Sequence, residues 1–118
     1  MKLRCQPSYI MENSTFVKIL GNSSMARVLE YLFVSEGMPV HLSDVVRNSN
    51  VSKVTAIKIW NGLIEREFIL YDRTIGKAKL YKLNKNSIPV KKLLSLFNAC
   101  LVQDAEEGYR ESITQIPA

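Results

Sequence analysis

The stretch Leu42-Ser43-Asp44-Val45-Val46-Arg47-Asn48-Ser49-Asn50-Val51-Ser52 decides the fold. Leu42, Val45 and Val46 recur at three- and four-residue spacing, so Leu42 to Arg47 reads as about one and a half helical turns with these three residues facing inward. Asn48-Ser49-Asn50-Val51 interrupts that helix. Asn50 sits where a left-handed conformation is needed, which asparagine tolerates better than most residues carrying a Cβ. Ser52 then caps a further helix running from about Lys53 to Glu67.

Upstream, the short run Phe16-Val17-Lys18-Ile19-Leu20 stops at Gly21-Asn22, and Asn22 or Ser23 offers a helix N-cap. Met25, Val28, Leu29, Leu32 and Phe33 form the apolar side of the helix that follows, with Arg27, Glu30 and Glu36 mostly opposite. Gly37 and Pro39 supply its stop. Met38 to His41 reads as a short extended piece that His41 terminates. Residues 1–14 show neither period, contain Pro7, Asn13 and Ser14, and read as a loose arm.

Downstream of Phe68 the spacing changes to β-rich runs, Phe68-Ile69-Leu70-Tyr71 and Leu80-Tyr81-Lys82-Leu83, with Gly76 at the tip of the connection. That is a β-hairpin. Ser87-Ile88-Pro89 starts a last helix, whose wide stripe of Val90, Leu93, Leu94, Phe97, Cys100 and Leu101 carries it to about Glu107. The tail from Gly108 to Ala118 is expected to fray. The fold class is therefore mainly α with a small β-hairpin (α+β). A central domain spans residues 15–86 and a C-terminal helix spans 87–107.

This order of helix, short strand, helix, tight turn, helix, hairpin and helix resembles the winged helix-turn-helix domains of small prokaryotic transcription regulators, the MarR-like and ArsR-like groups among them. Leu42 to Ser52 looks like the opening of the helix-turn-helix, with Asn50 in place of the usual glycine. Leu63-Ile64-Glu65-Arg66-Glu67-Phe68-Ile69 resembles the end of a recognition helix passing into the wing, with Glu67 where glycine is common. Tyr81-Lys82-Leu83-Asn84 resembles the wing's returning strand. The likeness covers Ser23 to Asn84, and Ile19-Leu20-Gly21-Asn22-Ser23 with Arg27-Val28-Leu29 looks like archaeal versions.

The length of 118 residues suits one core, burying roughly two thirds of the unfolded surface. With 47% apolar and 23% charged residues, the composition excludes a disordered chain or a disulfide scaffold. No run approaches the ~20 apolar residues of a membrane span, and Met1 to Ser14 lacks a signal peptide's apolar centre. A cytoplasmic protein is expected. Cys5 and Cys100 lie far apart, without metal-ligand spacing, and read as free thiols. The sole histidine, His41, has no motif cysteine, serine elbow or carboxylate pair near it, so catalysis, a metal and a cofactor are not expected.

The net charge of +5 is unevenly placed. Residues 1–92 carry fifteen Lys/Arg against seven Asp/Glu, whereas residues 93–118 carry one Arg against four acids. From Arg73 to Lys92 seven basic residues occur without an acid. Such a segment is either a solvated lysine face or a surface for something anionic.

On the helix beginning at Lys53, Ala56, Ile59, Trp60 and Leu63 cluster, with Ile57 and Ile64 widening the stripe, so Trp60 belongs to the core rather than to base stacking. Val54, Thr55, Lys58, Asn61 and Gly62 occupy the other side. Thr55, Lys58 and Asn61 offer donors and acceptors to base edges, and Val54 an apolar contact for a thymine methyl. Gly62 costs about 1 kcal/mol relative to alanine in mid-helix, which either close approach to a phosphate or a bend or early end of the helix would explain. Ser52 and Lys53 sit where a helix start suits a phosphate, although Ser52 equally serves as a cap. Arg73, Lys77 and Lys79 surround the hairpin tip and suit backbone contacts.

The resemblance implies a sequence-specific double-stranded DNA-binding transcription regulator. It would act as a homodimer through Leu93, Leu94, Phe97 and Leu101, with the recognition helix in the major groove and the basic wing on the backbone or minor groove. The same fold also serves architectural and plasmid or viral replication or partition proteins, and winged helices that bind other proteins. Packing of the last helix within the monomer is the alternative to a dimer.

Overall fold

The chain folds as α1 (Thr15–Ile19), α2 (Ser24–Val34), α3 (Leu42–Ser49), α4 (Lys53–Glu65), a hairpin of β1 (Ile69–Ile75) and β2 (Ala78–Leu83), and α5 (Ile88–Thr114). The structure is a computed structural model describing residues 14–114. Residues 1–13 of the expected arm, including the thiol of Cys5, lie outside the described residues.

Serines start several of the helices as N-caps. Ser14 Oγ accepts the Val17 N–H at 3.3 Å, Ser23 Oγ accepts the Ala26 N–H at 3.1 Å, and Ser52 Oγ accepts the Thr55 N–H at 3.2 Å. Ser14 is thus a buried cap, not part of a loose arm. The run Phe16 to Leu20 is mostly helical. Its end is closed by the Gly21 N–H donating to the Lys18 carbonyl at 3.0 Å and the Asn22 N–H to that of Val17 at 2.7 Å.

Helix α2 is the centre of the molecule. Ala26 and every residue from Val28 to Phe33 are buried, because α1, α3, α4 and α5 pack around it. Glu30, expected on the solvent side, is consequently only 2% exposed, while Met25, expected in the stripe, is partly exposed. Phe16 meets Phe33 and Phe97 edge-on, with ring centroids 5.8 and 5.4 Å apart, and Phe33 and Phe97 lie 5.6 Å apart. Phe97 is therefore part of the monomer's core, and its assignment to a dimer interface is corrected.

The helix-turn-helix is as expected in outline. Asn50 follows α3 with φ +55°. Arg27 on α2 secures the turn, its Nε donating to the Ser49 carbonyl at 3.2 Å and its Nη1 to the Asn22 carbonyl at 3.1 Å. One of the carbonyls left free at the end of α3 is satisfied in this way.

The exit from α4 explains Glu67. Its φ is +59°, its N–H donates to the Ile64 carbonyl at 3.0 Å, and the Phe68 N–H donates to that of Leu63 at 2.9 Å. This is the closing arrangement that normally uses glycine. Asn84 Nδ2 donates to the Glu67 carbonyl at 2.9 Å and ties the returning strand to the same corner. The strands extend further than their apolar runs suggest, to a two-residue connection of Gly76 and Lys77, and a bulge at Asp72 shifts the register between Tyr71 and Arg73. Val40 adds a third extended piece, exchanging backbone hydrogen bonds with Tyr81 at 2.7 and 2.9 Å.

Helix α5 continues through Gly108 to Thr114, beyond the end expected near Glu107, and the rest of the tail expected to fray lies outside the described residues. One glycine costs a helix only about 1 kcal/mol, and the next strong breaker in the sequence is Pro117.

Candidate nucleic-acid interface

The exposed side of α4 carries Lys53, Val54, Ile57, Lys58 and Asn61. Ile57 was expected in the core stripe and instead sits at its solvent margin. Thr55 and Gly62 are half-buried, and the Thr55 hydroxyl accepts from Ser52 Oγ at 3.0 Å, so both hydroxyls are engaged in the cap. The helix continues past Gly62 to Glu65, which removes an early end as the reason for that glycine. A Cβ at Gly62 would meet only Arg66 Nη1, at 3.3 Å.

Trp60 faces inward, edge-on to Tyr81 at 5.8 Å, and Tyr81 is edge-on to Tyr71 at 5.9 Å. These rings dock the hairpin beside α4. They leave a cleft of about 280 Å³ in which Asn61 and Ile64 of α4, Lys77, Lys79 and Tyr81 of the hairpin, and His41 and Leu42 share the walls. A second groove of about 400 Å³ is lined by His41, Leu42, Ser43, Val46, Arg47 and Lys53. Cations therefore border α4 along both grooves, Lys77 and Lys79 in one and Arg47 and Lys53 in the other.

Arg73 does not join them. In the ladder it stands opposite Leu80, whereas Lys79 stands opposite Thr74, and neighbouring strand residues point to opposite faces. Arg73 Nε donates to Asp72 Oδ2 at 2.7 Å, and Lys82 Nζ lies 3.4 Å from Asp72 Oδ1. The Arg73 hydrogen bond is the main reason the Asp72 carboxyl is held below its usual range; desolvation opposes it and Lys82 assists it.

Two residues of the site were not singled out from the sequence. His41 is the N-cap of α3, its Nδ1 accepting the Ser43 N–H at 3.2 Å while Asp44 Oδ2 accepts the His41 N–H at 3.3 Å. The readable signal was an acid three residues after a side chain with a free acceptor. Arg47 pairs with Asp44 on the exposed edge of α3.

Sequence comparison finds no matching family model and no matching curated protein. Comparison with solved structures does find likeness. MepR, a transcription regulator of the Staphylococcus aureus multidrug efflux pump MepA, superposes with TM-score 0.56 at 17% identity over 79% of this chain and 75% of that one. The fold is a winged helix-turn-helix. The adhesin competence repressor AdcR from Streptococcus pyogenes gives TM-score 0.59 at 11% identity, covering 89% of this chain and 77% of its own. TubR of type III plasmid segregation gives 0.50 at 20% identity, covering 85% and 94%. A MepR variant of similar likeness was solved bound to an oligodeoxyribonucleotide.

Among the described residues no group of three His, Cys, Asp or Glu side chains is placed to hold a metal ion. No described helix is long and apolar enough to cross a membrane. Cys100 is a buried free cysteine whose thiol is pushed up by burial and by the nearby Asp104 charge.

Proposed function

We propose that this chain is a sequence-specific double-stranded DNA-binding regulator of transcription, acting in the cytoplasm as a homodimer without catalysis or a cofactor. The observation that carries the reading is the shared cleft in which Asn61 of α4 meets Lys77 and Lys79 of the wing. Helix α4 enters the major groove, where Lys58 and Asn61 reach base edges and Val54 a thymine methyl. Lys53 and the free N–H groups at the start of α4 meet one phosphate strand, and Lys77 and Lys79 the other. A homodimer would read two half-sites about one helical turn, ~34 Å, apart.

The likeness to TubR, which spans 94% of that chain, supports a second reading as a partition protein. Footprinting on genomic DNA separates the two: a discrete palindromic footprint supports the regulator, and an extended or repeated array supports partition. Titration with random duplex at two salt concentrations tests both. Binding that weakens steeply with salt is expected, and binding indifferent to salt rejects the assigned surface.

A further inference from the structure

The exposed face of α4 is not uniformly polar. Val54 is 66% exposed and Ile57, one helical turn on, is 37% exposed, with exposed Asn61 following a turn later. A single aliphatic side chain left in water is ordinary. Two on successive turns ask for a reason, and folding supplies little. Val54 and Ile57 are β-branched, which lowers helix propensity, and Ala56, Trp60 and Leu63 already bury the core side of the same helix.

Position says what the pair meets. Lys53, Ile57, Asn61 and Ile64 follow one another at spacings of four, four and three residues, so they form one line along α4. Lys53 lines the groove against α3, and Asn61 and Ile64 line the cleft against the wing. Ile57 thus stands on the turn of α4 between two walls bordered by cations, beside Val54. Such a face meets phosphates at its edges and bases at its middle.

The major groove offers an aliphatic side chain one apolar group, the C5 methyl of thymine, and offers an asparagine amide a bidentate partner on adenine N6 and N7. Val54 and Ile57 are offset by about 4.5 Å along the helix axis, close to the ~3.4 Å step between base pairs, so they address neighbouring pairs. All three side chains in the middle of the face therefore suit A·T. Lys58 lies on the other flank of Val54, so guanine readout falls outside this centre.

Resting on the DNA-binding reading above, we infer that Ile57 is a base-reading residue, which with Val54 packs on thymine methyls of neighbouring base pairs and with Asn61 limits the centre of each half-site to A·T.

The test uses the full chain and a duplex selected from a randomised pool, resynthesised with deoxyuridine in place of each thymine in turn, a change that removes only the methyl. The selected half-site should centre on A·T pairs, and two of the replacements should each weaken binding about three- to fivefold, as expected for losing one buried methyl. Ile57→Ala should bind the thymine duplex more weakly by a similar factor and lose its sensitivity to one of those replacements, and Val54→Ala to the other. Helicity by circular dichroism and the salt dependence of binding should be unchanged in both. If Ile57 only shapes the helix, Ile57→Ala weakens thymine and deoxyuridine duplexes alike and leaves their ratio unaltered, which overturns the inference. A G·C-centred site, or wild-type binding indifferent to deoxyuridine, also overturns it while leaving DNA binding standing. Failure to retain any duplex at low salt removes the DNA reading itself, and this inference with it.

Discussion

Asp104 on α5 caps α1 across 89 residues of sequence, its Oδ2 accepting the Thr15 N–H at 3.2 Å and its Oδ1 the Thr15 hydroxyl at 2.5 Å. Helix α1 has five residues and cannot persist alone. Its hold on the domain comes from this carboxylate, the Ser14 cap and the burial of Phe16 and Val17. The same contact ties α5 to α1.

Removing that carboxylate should be felt in stability rather than in the DNA-facing surface. Asp104→Ala is expected to cost about 1–3 kcal/mol, the range for losing a charged acceptor whose donors stay partly buried. Urea unfolding measures it. A loss below about 0.5 kcal/mol, the scatter of ordinary surface substitutions, would show that the cap does not hold α1.

Glu30 presents the opposite case. Its Oε1 is buried without a hydrogen-bond partner among the described residues. Burial pushes its carboxyl up, the Asp104 charge adds to this, and a hydrogen bond with the Ser14 side chain works against it. A raised acid binds its proton more tightly folded than unfolded, so its contribution to stability falls as pH rises through the ordinary glutamate range toward the folded value. Below that range both states are protonated and nothing is lost. Glu30→Gln should therefore match the wild type at about pH 4 and gain on it toward pH 7 in thermal unfolding. A difference that is flat with pH would refute the raised carboxyl.

The features legible in the sequence were those decided by near neighbours along the chain. Ser23 and Ser52 cap because their own helices begin there, and Asn50 is left-handed because the turn after α3 demands it. Helical period alone separates the exposed Val54, Lys58 and Asn61 of α4 from the inward Trp60, but not the half-buried Thr55 and Gly62 or the exposed Ile57. The burial of Glu30, and the use of Phe97 within the monomer rather than between copies, depend on how many elements surround a helix, which one helix's pattern does not record. Arg73 was grouped with Lys77 and Lys79 because the bulge at Asp72, which reassigns faces, leaves no mark in a run of basic residues. The pairing of Thr15 with Asp104 is a meeting of chain ends that only folding reveals.

Glu67 and Asn50 both hold left-handed backbone without being glycine, at φ +59° and +55°. A Cβ in that region costs roughly 1–2 kcal/mol, partly offset by the greater unfolded freedom glycine brings. Glu67→Gly is expected to stabilise by about 0.5–1 kcal/mol, and Asn50→Gly by less, because asparagine tolerates the region. Thermal melts of the two single variants decide the order. A destabilised Glu67→Gly would mean that its side chain does more than occupy the corner.

The wing makes a prediction with an internal control. Lys77 and Lys79 share the cleft with Asn61, whereas Arg73 is tied to Asp72 on the other face. Lys77→Ala and Lys79→Ala should each lower the slope of log affinity against log salt by about one while leaving the preferred sequence unchanged. Arg73→Ala should change that slope by much less. Equal effects from all three would show that DNA wraps both faces of the hairpin.

Gly62 separates a structural cost from a functional one. It lies within α4, where glycine is about 1 kcal/mol worse than alanine, and an added Cβ would meet only Arg66 Nη1 at 3.3 Å, the far end of a flexible side chain. Folding alone therefore favours Gly62→Ala, which is expected to raise stability by about 0.5–1 kcal/mol. If α4 needs this position bare for close approach to a phosphate, the same substitution should weaken duplex binding severalfold in a more stable protein. Stability and affinity moving in opposite directions are then the signature of a surface shaped for DNA. Affinity unchanged in the stabilised variant would leave Gly62 without a role at the interface and move the closest phosphate contact toward Lys53 at the start of the helix.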